Sequence, residues 1–237
     1  MASPLFEELK ASLDALGAST VAVIGSGGKT SIIIGLAKVL KEKGVLITTT
    51  THLAAPIHVD YSVDEWIRDP NAQVHVGLGK RVLWAKEGAK LGPVNQDLLQ
   101  EASAFGGYTF IEADGARGKP LAFHDETEPV IPAWVDCVIA VVGLGGIGKP
   151  LNEETFHREG EYRRVTGSKE TQISMDTLGA LLAHPSGILK GTIGHPTILV
   201  FTQSDLVSPA LAEEAWNVGR KHSRCVAVLC GTTRGNE

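Results

Sequence analysis

Residues 20–31 read TVAVIGSGGKTS, and this stretch decides the fold. Thr20–Ile24 are β-branched or small and apolar, the composition of a parallel strand buried on both faces. Gly25, Gly27 and Gly28 follow, removing side chains where backbone N–H groups must turn toward one point. Lys29-Thr30-Ser31 then opens SIIIGLAKVLKEKG (31–44), whose apolar residues fill a helical face and which stops at Gly44. Strand, glycine loop, Lys-Thr and helix N-terminus together predict a phosphate cradle. Amides and the helix dipole attract oxyanions, the ammonium bridges them, and a hydroxyl holds Mg²⁺. The predicted contacts are Gly25, Ser26, Gly27, Gly28, Lys29, Thr30 and Ser31, with Thr30 on the metal. Val23 stands where the eight-residue consensus has its first glycine, so the motif present is the shorter G-x-x-G-K-T.

At 237 residues the chain is most economically one α/β domain over 1–237. A composition of 43% hydrophobic and 21% charged residues excludes disorder. Net charge is −5, from 22 basic against 27 acidic residues, and no basic run is interleaved with aromatics. Nucleic acid is therefore not an expected partner. The first residues, MASPLFEELKASLDALGAS (1–19), lack the basic and long apolar regions of a signal peptide. They read as an amphipathic helix with Ser3 as cap, Pro4 in the first turn and Leu5, Leu9, Leu13 and Leu16 along one face. No stretch approaches membrane-spanning length, so no membrane partner and a cytoplasmic location are expected. Cys137, Cys225 and Cys230 sit in or beside apolar runs, as buried thiols of a reducing compartment rather than as a metal site.

Further strands are expected at 45–51, 108–112, 135–143, in TILVFTQSD (197–205) and at 224–230. Helices are expected at 93–107, in the charged 152–167 segment, at 171–185 and at 208–222. Residues 52–73 read as irregular, and Gly-Lys breaks in 74–92 suggest a small hairpin inserted at the edge. Alternating strands and helices predict a mainly parallel sheet with helices on both faces and ligands at the strands' carboxyl ends.

Several polar clusters fall at those ends. Thr48–Thr51 and His52 close one strand; Thr50 and Thr51 either ligate Mg²⁺ or sense a γ-phosphate, or are simply good strand formers. In FIEADGARGKP (110–120), Glu112 takes the acidic position that orients Mg²⁺ opposite a phosphate loop. Asp114 shares the metal or acts as base. Residues 110–121 and 140–151 align at an offset of 30, each a strand, a glycine loop and then G-K-P-L. That echo brings Lys119 and Lys149, with Arg117, toward an anionic substrate or phosphate. Gly143-x-Gly145-x-x-Gly148 satisfies the dinucleotide fingerprint as a string, but Pro150 breaks the chain where a helix is needed. Arg158 can stabilise transferred phosphate as an arginine finger does. Asp205, ending T-Q-S-D, sits where an aspartate would read a guanine edge, or else caps the next turn.

The loop resembles that of the Mur-type amide ligases. The wider set VIGSGGKTS, VLITTTTH, IEADGARGKPL, VVGLGGIGKPLNEETFHR, VTG and TQSD resembles the selenium-dependent molybdenum hydroxylase accessory family (YqeC-like) over nearly the whole chain. The resemblance implies a P-loop NTPase-like fold and a part in maturing a selenium-containing molybdenum enzyme. The residues themselves predict binding of ATP or GTP with Mg²⁺, through Lys29, Thr30, Glu112 and Asp114. Lys119, Lys149 and Arg158 would face an anionic pterin or selenium substrate. Two readings stay open: an enzyme that hydrolyses or transfers from the nucleotide, and a nucleotide-gated accessory protein serving a molybdenum hydroxylase client. An NAD(P)-dependent oxidoreductase is a remote third.

Overall fold

Thr20–Gly25 forms β1, and every one of its residues is buried. It lies near the middle of an eight-stranded sheet in a computed structural model that describes residues 3–56, 58–221 and 224–234. The other strands are β2 (Val45–Thr49), β3 (Glu65–Ile67), β4 (Arg81–Trp84), β5 (Tyr108–Glu112), β7 (Cys137–Gly143), β9 (Thr197–Thr202) and β10 (Cys225–Cys230). Their order is β10-β9-β7-β1-β5-β2-β4-β3, and all pairs are parallel. Two short strands, β6 (Leu121–Ala122) and β8 (Phe156–His157), make a separate parallel ribbon.

The pleat sends alternate side chains into two cores. Val21, Val23, Val45, Ile47, Phe110, Ile139 and Val141 face one side. There α1 (Pro4–Leu16) contributes Leu5, Phe6, Leu9 and Leu13, and α2 (Lys29–Val39) contributes Ile32, Ile33 and Leu36. A Cβ on Gly35 would lie 2.0 Å from Phe6 Cζ, so the glycine lets α1 and α2 touch. Ala22, Ile24, Leu46, Ile111, Val138, Ala140 and Val142 face the opposite side. They meet α3 (Gln96–Ser103), α4 (Glu159–Thr166), α5 (Met175–Ala183) and α6 (Pro209–Arg220) through Leu99, Tyr162, Leu178, Leu181 and Ala215. The expected α/β architecture with helices on both faces is present.

Local expectations fail where tertiary contacts override them. The hairpin at 74–92 is instead a parallel strand, β4, placed between β2 and β3. Val82, Leu83 and Trp84 are all buried, the pattern of a strand covered on both faces rather than of an edge hairpin. After it, isolated antiparallel bridges join Lys86 to Gly92 and Leu91 to Leu53. The supposedly irregular 52–73 stretch supplies β3 at the sheet edge. Ser3 stands at the N-cap of α1, but its hydroxyl makes no capping bond and donates instead to Thr232 O at 2.6 Å. Leu16 is 38% exposed, and Phe6 takes its place in the apolar face. His222, at the end of the expected last helix, and Met1 and Ala2 lie outside the described residues.

Candidate functional site

The glycine loop joins β1 to α2 with Gly25, Gly27 and Gly28 at φ of 96°, 76° and 141°, conformations that L side chains resist. Space is equally restrictive. A Cβ on Gly25 would lie 2.1 Å from Val141 O, and one on Gly27 would lie 2.4 Å from Gly143 Cα. The loop's back is therefore wedged against neighbouring strand ends. Ser26 Oγ donates to Pro120 O at 2.9 Å, and Thr202 Oγ1 donates to Gly27 O at 2.6 Å. The repeated G-K-P-L segments follow β5 and β7, which flank β1, and the first of them meets the end of β7 where Gly143 N–H donates to Pro120 O at 3.2 Å. In front, Gly27, Gly28, Lys29, Thr30 and Ser31 line a cleft of about 850 Å³.

Behind that front the charges converge. Lys29 Nζ donates to Gly25 O at 2.7 Å, lies 2.9 Å from Asp114 Oδ1 off the hydrogen-bonding direction, and is 3.8 Å from Glu112 Oε1. Burial works against the ammonium, but the Asp114 and Glu112 carboxylates outweigh it and hold the pKa above the ordinary lysine value. Burial likewise opposes the charge on Asp114; Lys29 and a hydrogen bond from His124 prevail and hold it at about 2. Glu112 goes the other way, because burial pushes its carboxyl up more than Lys29 pulls it down. Thr30 Oγ1 donates to Glu112 Oε2 at 3.0 Å, so a hydroxyl and a carboxylate stand together at the cleft as hard oxygen donors of the kind Mg²⁺ takes.

Asp114 stands deeper than expected. Its Oδ2 accepts from Gly25 N–H and from His124 Nε2, both at 2.6 Å, and it does not line the cleft. Its carboxylate meets the loop at the Gly25 N–H and the lysine at Lys29 Nζ. His124, whose Nδ1 reaches Gly187 O at 2.8 Å, escaped the sequence reading. No helical or strand period links positions 114 and 124, so only the tertiary fold joins them.

Other expected residues separate into two groups. Arg158 lines the cleft, gripped by Asp125 Oδ2 at 2.7 Å and Glu128 Oε2 at 2.8 Å. Arg117 lines it too, with His157, His52, Lys90 and Gln203. Thr50, Thr51, Lys119, Lys149 and Asp205 do not. Thr50 Oγ1 is spent on Val130 O at 2.7 Å, and Thr51 Oγ1 is buried without a partner among the described residues. Lys119 pairs with Glu153 at 3.2 Å. Lys149 is exposed. Asp205 lies in a 3₁₀ turn and meets Arg234 at 3.3 Å. The dinucleotide-like string also forms a 3₁₀ turn, Leu144–Gly146, with no helix following, and Gln203 Oε1 accepts from Gly145 N–H at 3.2 Å.

Among the described residues, no helix is long and apolar enough to cross a membrane. No solved structure matches the chain. A curated protein described as uncharacterized protein YqeC, from Escherichia coli strain K12, is 36% identical over 183 residues, covering 73% of this chain and 70% of that one. The profile described as YqeC protein matches residues 21–160, which contain the glycine loop, Glu112, Asp114, His124 and Arg158. By both comparisons the chain belongs to the YqeC family.

Proposed function

We propose that this protein binds a Mg²⁺–nucleoside triphosphate at the 25–31 loop and hydrolyses it or transfers a phosphoryl or nucleotidyl group from it. One observation carries the reading: side-chain-free Gly27-Gly28, the Lys29 ammonium, the Thr30 hydroxyl and the Glu112 carboxylate share one cleft. Backbone amides and Lys29 would hold the β- and γ-phosphates. Thr30 and Glu112 would hold Mg²⁺, which when bound would neutralise charge on the phosphate oxygens. Asp114 keeps Lys29 charged and fixes the Gly25 amide. Arg158, immobilised by Asp125 and Glu128, would meet charge developing on the transferred group. Alignment and charge stabilisation would then provide most of the rate.

Family membership supports a place in the accessory system of a selenium-dependent molybdenum hydroxylase, and the substrate or cofactor intermediate handled there would be anionic. A second reading, a nucleotide-gated accessory protein, draws on the engagement of Lys29 by Gly25 O, Asp114 and Glu112. Those contacts must rearrange when phosphate enters, and a rearrangement can be transmitted to a client. Hydrolysis of ATP or GTP by the isolated protein supports the enzyme; hydrolysis only with a hydroxylase client present supports gating. Thermal shifts with ATP, GTP and NAD, each with and without Mg²⁺, test the nucleotide site itself. A stabilisation by NAD that survives Lys29→Ala, with none by ATP or GTP, would overturn the proposal.

A further inference from the structure

Beyond the nucleotide, the cleft holds a second set of groups built for an anion. His157 is 7% exposed and lines the cleft, and neither ring nitrogen has a hydrogen-bond partner among the described residues. Its ring nitrogens are not among the fully enclosed unpartnered polar atoms, so they open onto the cleft, where a ligand can meet them. Three cations, Arg158, Arg117 and Lys119, lie near enough to act on its charge. Arg158 is neutralised by Asp125 and Glu128, and Lys119 by Glu153, whereas Arg117 pairs with no carboxylate among the described residues. Arg117 is also held at φ 50°, Arg158 at 63° and Gln203 at 61°. These are three of the four non-glycine residues with positive φ in the described chain, and all three line this cleft. Strained backbone retained at one place is a mark of residues whose aim matters.

We propose that Arg117 and His157, with Arg158 fixed beside them, form an oxyanion subsite for a second, small-molecule substrate bearing a phosphate or carboxylate group. The inference rests on the proposed nucleotide reading for the word "second", but the subsite stands on its own residues. Arg117 supplies a planar fork matched to two oxygens of an oxyanion. Burial, then Arg158, Arg117 and Lys119, push the His157 imidazole down to about 4. It is therefore neutral near pH 7, donating from one nitrogen to the ligand while the other can accept. Sharing a cleft of about 850 Å³, near the upper end for small-molecule sites, leaves room for both ligands.

The test titrates inorganic phosphate calorimetrically into the full-length protein in phosphate-free buffer, alone and saturated with Mg²⁺ and a non-hydrolysable ATP or GTP analogue. Two phosphate sites are expected: one removed by the analogue and by Lys29→Ala, and one that persists. The persistent site should weaken roughly tenfold to a hundredfold in Arg117→Ala, as expected for losing a charge-assisted contact. It should weaken similarly in His157→Phe, but stay within roughly threefold in His157→Gln, which keeps a donor and an acceptor. Arg117 is exposed, so its truncation should leave the melting temperature unchanged and exclude unfolding as the cause. Parallel titration with acetate separates a carboxylate site from a phosphate-selective one. The proposal falls if no phosphate or acetate site persists beside the analogue, or if Arg117→Ala leaves that site intact. It also falls if Arg117→Ala weakens the analogue as much as Lys29→Ala does. Failure of the analogue to bind the wild-type protein overturns the nucleotide reading instead, and leaves the Arg117-dependent site to be judged by phosphate alone.

Discussion

Asp114→Asn preserves the shape of the side chain and an acceptor for the Gly25 amide, and removes one buried charge. In the native protein that charge faces Lys29 at 2.9 Å and His124 at 2.6 Å. Burial disfavours the carboxylate, yet Lys29 and His124 overcome it and take the carboxyl from its ordinary 3.8 to about 2. An acid whose folded pKa is depressed adds stability that is fully present above the unfolded value and is lost as pH falls through the folded one. Here the window runs from near 3.8 down to about 2. The depression alone corresponds to ~2 kcal/mol at neutral pH. Leaving the Lys29 ammonium buried, with Glu112 at 3.8 Å as its remaining carboxylate, brings the expected loss to about 3–5 kcal/mol. For a chain of this length the melting temperature should fall by roughly 6–20 °C. Urea unfolding of both proteins is the assay, run near neutral pH and again near pH 3. The difference between wild type and variant should be smaller by about 1 kcal/mol at the acid condition, where the native carboxylate has lost part of its advantage. A difference below about 0.5 kcal/mol at neutral pH, or one that does not shrink in acid, refutes the reasoning.

Gly27→Ala places a Cβ 2.4 Å from Gly143 Cα at a φ of 76°, so the loop must move. It should cost about 1–3 kcal/mol and eliminate the nucleotide-dependent thermal shift; a normal shift would mean that the loop's wedged geometry is unimportant. Glu112 has a folded pKa raised by burial, so the stability it confers is lost as pH rises above 4.5. Glu112→Gln should therefore raise the urea midpoint of the ligand-free protein at neutral pH while weakening the Mg²⁺ dependence of nucleotide binding. A less stable variant with unchanged Mg²⁺ dependence contradicts both parts. Gly35→Ala drives a methyl to 2.0 Å from the Phe6 ring and should destabilise by about 1–3 kcal/mol. The double variant with Phe6→Leu should recover part of this loss, and strict additivity would show that the contact is not the cause.

What could be read from the chain was whatever local spacing encodes. The strand-glycine-Lys-Thr-helix order from Thr20 to Val39 needs no distant partner, and the apolar runs at 108–112, 137–143 and 197–202 announce buried parallel strands. The edge was harder. Arg81–Trp84 is four residues long and follows Gly77 and Gly79, so local turn chemistry outweighed a buried pairing with β2 that only the finished sheet reveals. At the site, Lys29, Thr30 and Glu112, singled out by motif position, and Arg158, singled out in a charged segment, all line the one cleft. The contacts of His124 and Gln203 were not legible, because they depend on loops that only the tertiary fold brings together. Lys119 and Lys149 show the converse. The repeated tetrapeptide marks loops after β5 and β7, the two strands flanking β1, but Lys119 pairs with Glu153, Lys149 is exposed, and neither lines the cleft.

Calorimetric titration of Mg²⁺–ATP and Mg²⁺–GTP into the wild-type protein and into Lys29→Ala tests the central claim most directly. Binding of at least one nucleotide to the wild type, dependent on Mg²⁺ and lost in Lys29→Ala, is the predicted result. Equal affinity in both proteins, or no binding of either nucleotide to a folded wild type, would contradict it.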